Sequence, residues 1–117
     1  MKGQARRILL VAGEASGDLY GSLLVPSLRA VDSKIGFAGI GGSRMREAGV
    51  DLFADSRELA VVGLTEVISH WKPIRAAFHR AVKELRDTPP DLLLLIDYPD
   101  FNLRLAGRAR ACGVPVV

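Results

Sequence analysis

Asp91-Leu-Leu-Leu-Leu-Ile-Asp97-Tyr-Pro-Asp100-Phe-Asn102-Leu-Arg-Leu-Ala106 runs from an apolar stretch into two acidic residues and an asparagine, and a helical pattern follows at once. The run Leu92–Ile96 reads as a strand buried on both faces, as in a parallel sheet covered by helices. In open α/β sheets, ligands bind where the carboxyl ends of strands meet helix N-termini. Carboxylates at that edge suit the handling of hydroxyl protons or of a polar ligand. The first apolar strand, Ile8–Val11, ends in a comparable loop, Ala12-Gly-Glu14-Ala-Ser16-Gly17-Asp18.

At 117 residues, the chain has one domain's length and buries roughly two-thirds of its unfolded surface if it folds alone. It is 49% hydrophobic and 25% charged, ordinary for a globular domain, and 6% aromatic, too few for a base-stacking platform, so no nucleic-acid partner is expected. The net charge of +3 favours anionic partners without choosing among them. Cys112, the single cysteine, precludes an internal disulfide, fits a reducing compartment and is expected in the core, closing a helical stripe. The basic start, Met1 to Arg7, precedes an apolar run too short for a signal peptide or a membrane span, which points to the cytoplasm. Gly113-Val-Pro115-Val-Val117 reads as the beginning of another buried strand, so residues 1–117 are expected to be the front part of a longer protein.

Strands alternate with helical patterns, giving an α/β fold with a Rossmann-like, mostly parallel sheet. A helix is expected from about Asp18 to Val31, its stripe formed by Leu19, Leu23, Leu24, Leu28 and Val31, with Asp18 at its N-terminal dipole and Pro26 imposing a kink or a late start. Ile35–Ala38 forms a second strand that ends in Gly39-Ile40-Gly41-Gly42. Ser43 caps a short helix through Ala48, closed by Gly49, and Val50–Phe53 is a short strand. Glu58–Glu66 has no clean period. Ile74, Ala77, Phe78, Ala81, Val82 and Leu85 mark an amphipathic helix with Pro73 in its first turn, ended by Thr88-Pro-Pro90. A last helix runs from about Asn102 to Cys112.

Each motif admits a functional and a plain reading. Gly13 to Asp18 has the glycine pattern of a loop that cradles phosphate or sugar, yet it is neither a Walker loop nor a dinucleotide fingerprint; the plain reading is a βα turn with a capping Asp18. Gly41 and Gly42 form a second glycine cluster, weak taken singly. Asp97 and Asp100 could accept protons or cap a helix, and Asn102 could cap it likewise. No His or third carboxylate stands at useful spacing, so no metal is expected, and His79 falls on a solvated face. Ile68 and Trp71, beside Lys72 and Arg75, fit a membrane-facing edge or core.

Taken together, Ala12-Gly-Glu-Ala-Ser-Gly-Asp18, Gly39-Ile-Gly-Gly42 followed by Met45, Glu58-Leu-Ala-Val-Val-Gly63 with Glu66-Val67, and Ile96-Asp-Tyr-Pro-Asp-Phe-Asn-Leu-Arg-Leu-Ala106 resemble the N-terminal part of the lipid-A-disaccharide synthase family. Pro26 departs from the pattern. The resemblance implies a GT-B glycosyltransferase with two Rossmann-like domains, of which 1–117 would be part of the acceptor-binding one and the UDP-sugar domain would lie beyond it. The reaction implied joins UDP-2,3-diacylglucosamine to the 6-hydroxyl of 2,3-diacylglucosamine 1-phosphate with inversion, needing no metal or other cofactor. Asp100 is the implied catalytic base. Gly13, Glu14, Ser16, Gly17, Gly41, Gly42, Asp97 and Asn102 would surround the acceptor, Asp91 would be structural, and Val61, Val62, Leu64, Ile68 and Trp71 would meet acyl chains or membrane. The implied location is peripheral, on the cytoplasmic face of the inner membrane, and self-association into a homo-oligomer is compatible with the sequence. The rivals are another GT-B transferase of cell-envelope synthesis and a phospho-receiver-like module phosphorylated on Asp97.

Overall fold

The computed structural model describes residues 6–59 and 67–117, with side chains of residues 58–71 left aside. The elements are β1 (Arg7–Ala12), α1 (Ala15–Val31), β2 (Gly36–Gly41), α2 (Ser43–Ala48), β3 (Asp51–Asp55), α3 (Ser56–Leu59), α4 (Val67–Asp87), β4 (Leu92–Ile96) and α5 (Pro99–Ala111). Strands pair in the order β3-β2-β1-β4, and every pairing is parallel. Parallel neighbours require crossovers, which the helices provide. The chain therefore has an α/β, Rossmann-like fold in which strand order reverses between β1 and β4.

Alternation along β1 divides the core. Leu9 and Val11 face a cluster with Ala77, Ala81, Leu85, Leu93, Phe101 and Leu105, under α4 and α5. Ile8, Leu10 and Ala12 face Val25, Phe37 and Met45, under α1 and α2. Burial of both faces explains why β1 reads as an unbroken apolar run; β4, expected to be buried on both faces, has only Leu93 fully buried and is half-buried elsewhere. Past α5 the chain returns to the sheet: Val116 bridges Leu93 in parallel, and Val117 N–H donates to the Leu93 carbonyl at 2.9 Å. The expected additional strand thus begins on the outer side of β4.

Several expectations change. α1 starts at Ala15 rather than near Asp18 and continues through Pro26, whose ring is exposed, so the Ser22 carbonyl it frees can be hydrated. Its buried face is Gly17, Asp18, Gly21 and Val25, whereas Leu19, Leu23 and Val31 are exposed. Small residues win that face because α1 lies close to α2: a Cβ at Gly21 would stand 2.8 Å from the Met45 sulfur. β2 runs on to Gly41 and β3 to Asp55, each past its expected end. α4 begins at Val67, leaving Pro73 inside it and not in the first turn, and α5 begins at Pro99. Cys112 is exposed: the stripe Phe101, Leu105, Ala109 ends with the helix, and Val114 fills the next core position. Gly49 does close α2 in the left-handed conformation, with φ of 106°, and His79 is exposed.

Candidate functional site

The carboxyl ends of β1 and β4 bring two loops together at the point where strand order reverses. Gly13 leaves β1 buried, and a Cβ there would collide with the Tyr98 ring, so glycine lets the aromatic side chain lie on the β1–α1 backbone. Gly17, in the first turn of α1, sits against Ala12 and Ile96; a Cβ would come within 3.0 Å of the Ala12 methyl. Ser16 Oγ donates to Asp97 Oδ2 at 3.0 Å and ties the two loops across the reversal. Asp97 holds a positive φ of 49°, a left-handed conformation that aspartate tolerates better than most residues. It turns the chain from β4 into Pro99 at the start of α5, where a proline lacks no needed donor.

A groove of about 740 Å³ opens beside this junction. Glu14 lines it from the N-cap of α1, Asp100 from the first turn of α5, and Arg75 and Arg104 from α4 and α5. Its apolar wall is an aromatic row: Tyr98 stacks on Phe101 with ring centroids 4.9 Å apart, and Phe101 meets Phe78 edge-on at 5.3 Å. Glu14 makes no side-chain capping bond, so its carboxylate is available to a ligand. Burial, and then the negative charge of Glu14, push the Tyr98 phenol above its ordinary pKa, so it remains a neutral donor at the groove. Glu14 and Asp100 thus share one cavity.

The glycine-rich side is built differently. Asp18 is 5% exposed, and its carboxylate accepts from the backbone N–H groups of Gly42, Met45 and Arg44 at 2.7, 2.9 and 3.1 Å. It caps α2 from a distance, replacing the expected Ser43 cap; Gly42 occupies the N-cap position. A Cβ at Gly42 would lie 2.7 Å from Asp18 Oδ2, and one at Gly41 would strike the Met45 sulfur. These two glycines let α2 close on α1. A smaller pocket of about 300 Å³, lined by Glu14, Ser43, Arg44, Ser56 and Arg57, remains beside them.

Of the residues singled out in the sequence, Gly13, Glu14, Ser16, Gly17, Asp97 and Asp100 gather at the β1/β4 junction. Gly41 and Gly42 stand on the same rim, in packing positions. Asn102 is only 7% exposed and lies behind the groove, not on its lining, and among the described residues its Oδ1 has no hydrogen-bond partner. Asp91 stands at the opposite edge, where its Oδ2 accepts from the Arg7 N–H at 2.8 Å. Val61, Val62 and Leu64 fall outside the described residues, as do the side chains of Ile68 and Trp71. Tyr98, Phe101, Phe78, Arg75 and Arg104 were not anticipated at the site; the four-residue spacing from Asp100 to Arg104 could have marked the last of them. Among the described residues no three His, Cys, Asp or Glu side chains gather as metal ligands. No helix among them is long and apolar enough to cross a membrane.

The profile of the lipid-A-disaccharide synthetase family matches residues 8–116. The chain belongs to the lipid-A-disaccharide synthase family. It is 54% identical over 115 residues to the lipid-A-disaccharide synthase of Trichlorobacter lovleyi, covering 98% of this chain and 30% of that protein. The Geobacter sulfurreducens lipid-A-disaccharide synthase is 53% identical over 113 residues, covering 97% of this chain and 29% of that protein. The Coxiella burnetii lipid-A-disaccharide synthase is 46% identical over 112 residues, covering 96% and 30%. The chain therefore spans about 30% of the length of the synthases it matches.

Proposed function

We propose that the chain forms the acceptor side of an inverting glycosyltransferase that joins UDP-2,3-diacylglucosamine to 2,3-diacylglucosamine 1-phosphate in lipid A biosynthesis. The observation that carries this reading is the shared placement of Glu14 and Asp100 on one amphiphilic groove at the strand-order reversal. A sugar hydroxyl is a weak nucleophile, and a carboxylate helps most as the proton becomes acidic in the transition state, by about 10²–10⁴-fold. In the proposed step the acceptor 6-oxygen forms its bond to the anomeric carbon as the bond to UDP breaks. Its proton passes to Asp100. Glu14 and the neutral Tyr98 phenol hold the acceptor's other hydroxyls, and the Ser16–Asp97 bond fixes the spacing of the two loops. The donor site would lie in the part of the synthase length that this chain does not span.

The acceptor is an amphiphile, which the aromatic wall suits. We assign the enzyme a peripheral position on the cytoplasmic face of the inner membrane, acyl chains entering from the bilayer. The test is a chimera in which this chain replaces the matching segment of the Trichlorobacter lovleyi synthase, assayed with both lipid substrates. Disaccharide formation is expected, and its loss in the Asp100→Asn chimera with UDP-sugar binding intact. Activity in that variant within a few-fold of the parent would remove Asp100 from the mechanism. A folded chimera that ignores this acceptor and glycosylates another would replace the substrate assignment.

A further inference from the structure

Arg104 stands one turn beyond Asp100 on α5, and both line the groove. Acid followed four residues later by base is the favoured orientation for a helical ion pair, yet among the described residues Arg104 has no ion-pair partner, Asp100 included. The contrast lies on α4, where the less favoured order, Arg80 before Glu84, closes to 3.3 Å. Arg108, one turn further along α5, is held over the Phe78 ring at 6.0 Å. Arg104 alone of these cations is directed to the groove with its charge uncompensated. A second guanidinium, Arg75, lines the cavity from α4.

We propose that Arg104 is the residue that recognises the phosphate of the acceptor lipid. The proposal rests on the acceptor reading above and adds the anionic subsite. Four residues of helix advance about 6 Å, so a hydroxyl at Asp100 and an anion at Arg104 are separated by about one sugar ring. That is the distance from the 6-hydroxyl of a glucosamine to a phosphate on its anomeric carbon. A guanidinium presents paired N–H donors that match phosphate oxygens. An acid and a base held apart on one helix face thus measure the acceptor from its reacting end to its charged end. The aromatic wall between α4 and α5 is left for acyl chain.

The test compares binding of 2,3-diacylglucosamine 1-phosphate and of the same lipid without phosphate, in detergent, to the chain and to Arg104→Ala and Arg104→Lys variants. The parent should prefer the phosphorylated lipid. Arg104→Ala should weaken that lipid about tenfold or more, the size expected for a charge-assisted bond, and leave the unphosphorylated lipid within twofold. Arg104→Lys should recover part of the preference. Because the side chain is exposed, the variants should keep the parent's thermal midpoint. A parent preference that survives in Arg104→Ala overturns the proposal alone, and so does an equal loss for both lipids, which indicates a packing role. A parent that binds neither lipid overturns the acceptor reading, and the proposal with it.

Discussion

On the β2 side of β1 the rim of the sheet is largely filled, leaving a pocket of about 300 Å³, and on the β4 side it opens into a groove of about 740 Å³. Both sides carry an acidic residue in the first turn of a helix. Asp18 turns inward and spends its oxygens on three backbone donors of α2; Asp100 is exposed on a groove. The glycines differ in the same way. Gly41 and Gly42 make room for Met45 and Asp18, whereas Gly13 makes room for the Tyr98 ring that walls the cavity. A carboxylate near a strand end is therefore not by itself a functional signal. What separates the two is whether backbone donors have already consumed it.

The most severe change expected is Gly39→Ala, on the filled side. Gly39 has φ of 155° in β2, and a Cβ there would run into the Leu10 carbonyl of the central strand. A cost above about 4 kcal/mol follows from strand separation, read as loss of cooperative thermal unfolding. A stable Gly39→Ala chain would mean that the filled side is looser than described. On the open side, Asp100→Asn should lower turnover of the chimeric synthase by about 10²–10⁴-fold, or about 3–5 kcal/mol in barrier, while the thermal midpoint stays within a degree or two. Asp18→Ala should do the converse. It strands buried N–H groups at the start of α2, costing about 3 kcal/mol of stability, measurable by urea denaturation. A stability loss in Asp100→Asn comparable to that of Asp18→Ala would erase the distinction between the two sides.

The smallest effect belongs to the far edge of the sheet, which serves as the control. The Arg7 guanidinium pairs with Glu84 and also donates to the Thr88 carbonyl at 2.8 Å. Burial alone would raise the Glu84 pKa, but the bond and charge of Arg7, then those of Arg80, outweigh it and hold the carboxyl below its ordinary range. A depressed folded-state pKa contributes stability above the ordinary glutamate value, and that contribution is lost as pH falls through the lowered one. Glu84→Gln should therefore cost about 1 kcal/mol at neutral pH and flatten the acid limb of the stability curve, without touching turnover. An unchanged acid limb would show that the pair contributes nothing.

Much of this was legible before any coordinates. Leu92–Ile96 reads as a strand from its apolar run, and the structure gives it those limits, with Leu93 buried and its neighbours half-buried. The β1 and β4 loops could be matched as one rim because alternation of strand and helix leaves parallel strands few ways to connect. What escaped were features set by tertiary contact. The apolar spacing of Leu19, Leu23 and Val31 predicts a buried stripe, but close approach of α2 gives that burial to Gly17, Gly21 and Val25. Asp18 caps a helix whose first residue is 25 positions further on, and no local capping pattern encodes such a bond. The aromatic wall was hidden likewise: Phe78 reads as part of the apolar stripe of α4, and it packs half-buried against the core, but together with Phe101 it also lines the groove.

The proposed acceptor lipid must sit on one half of the rim and not the other. Amide NMR of the chain, titrated with 2,3-diacylglucosamine 1-phosphate in detergent, would answer this directly. The largest shifts are predicted at Glu14, Tyr98, Asp100 and Phe101, with Gly41 to Met45 nearly unmoved. Shifts confined to Gly41–Met45, with α5 silent, would contradict it.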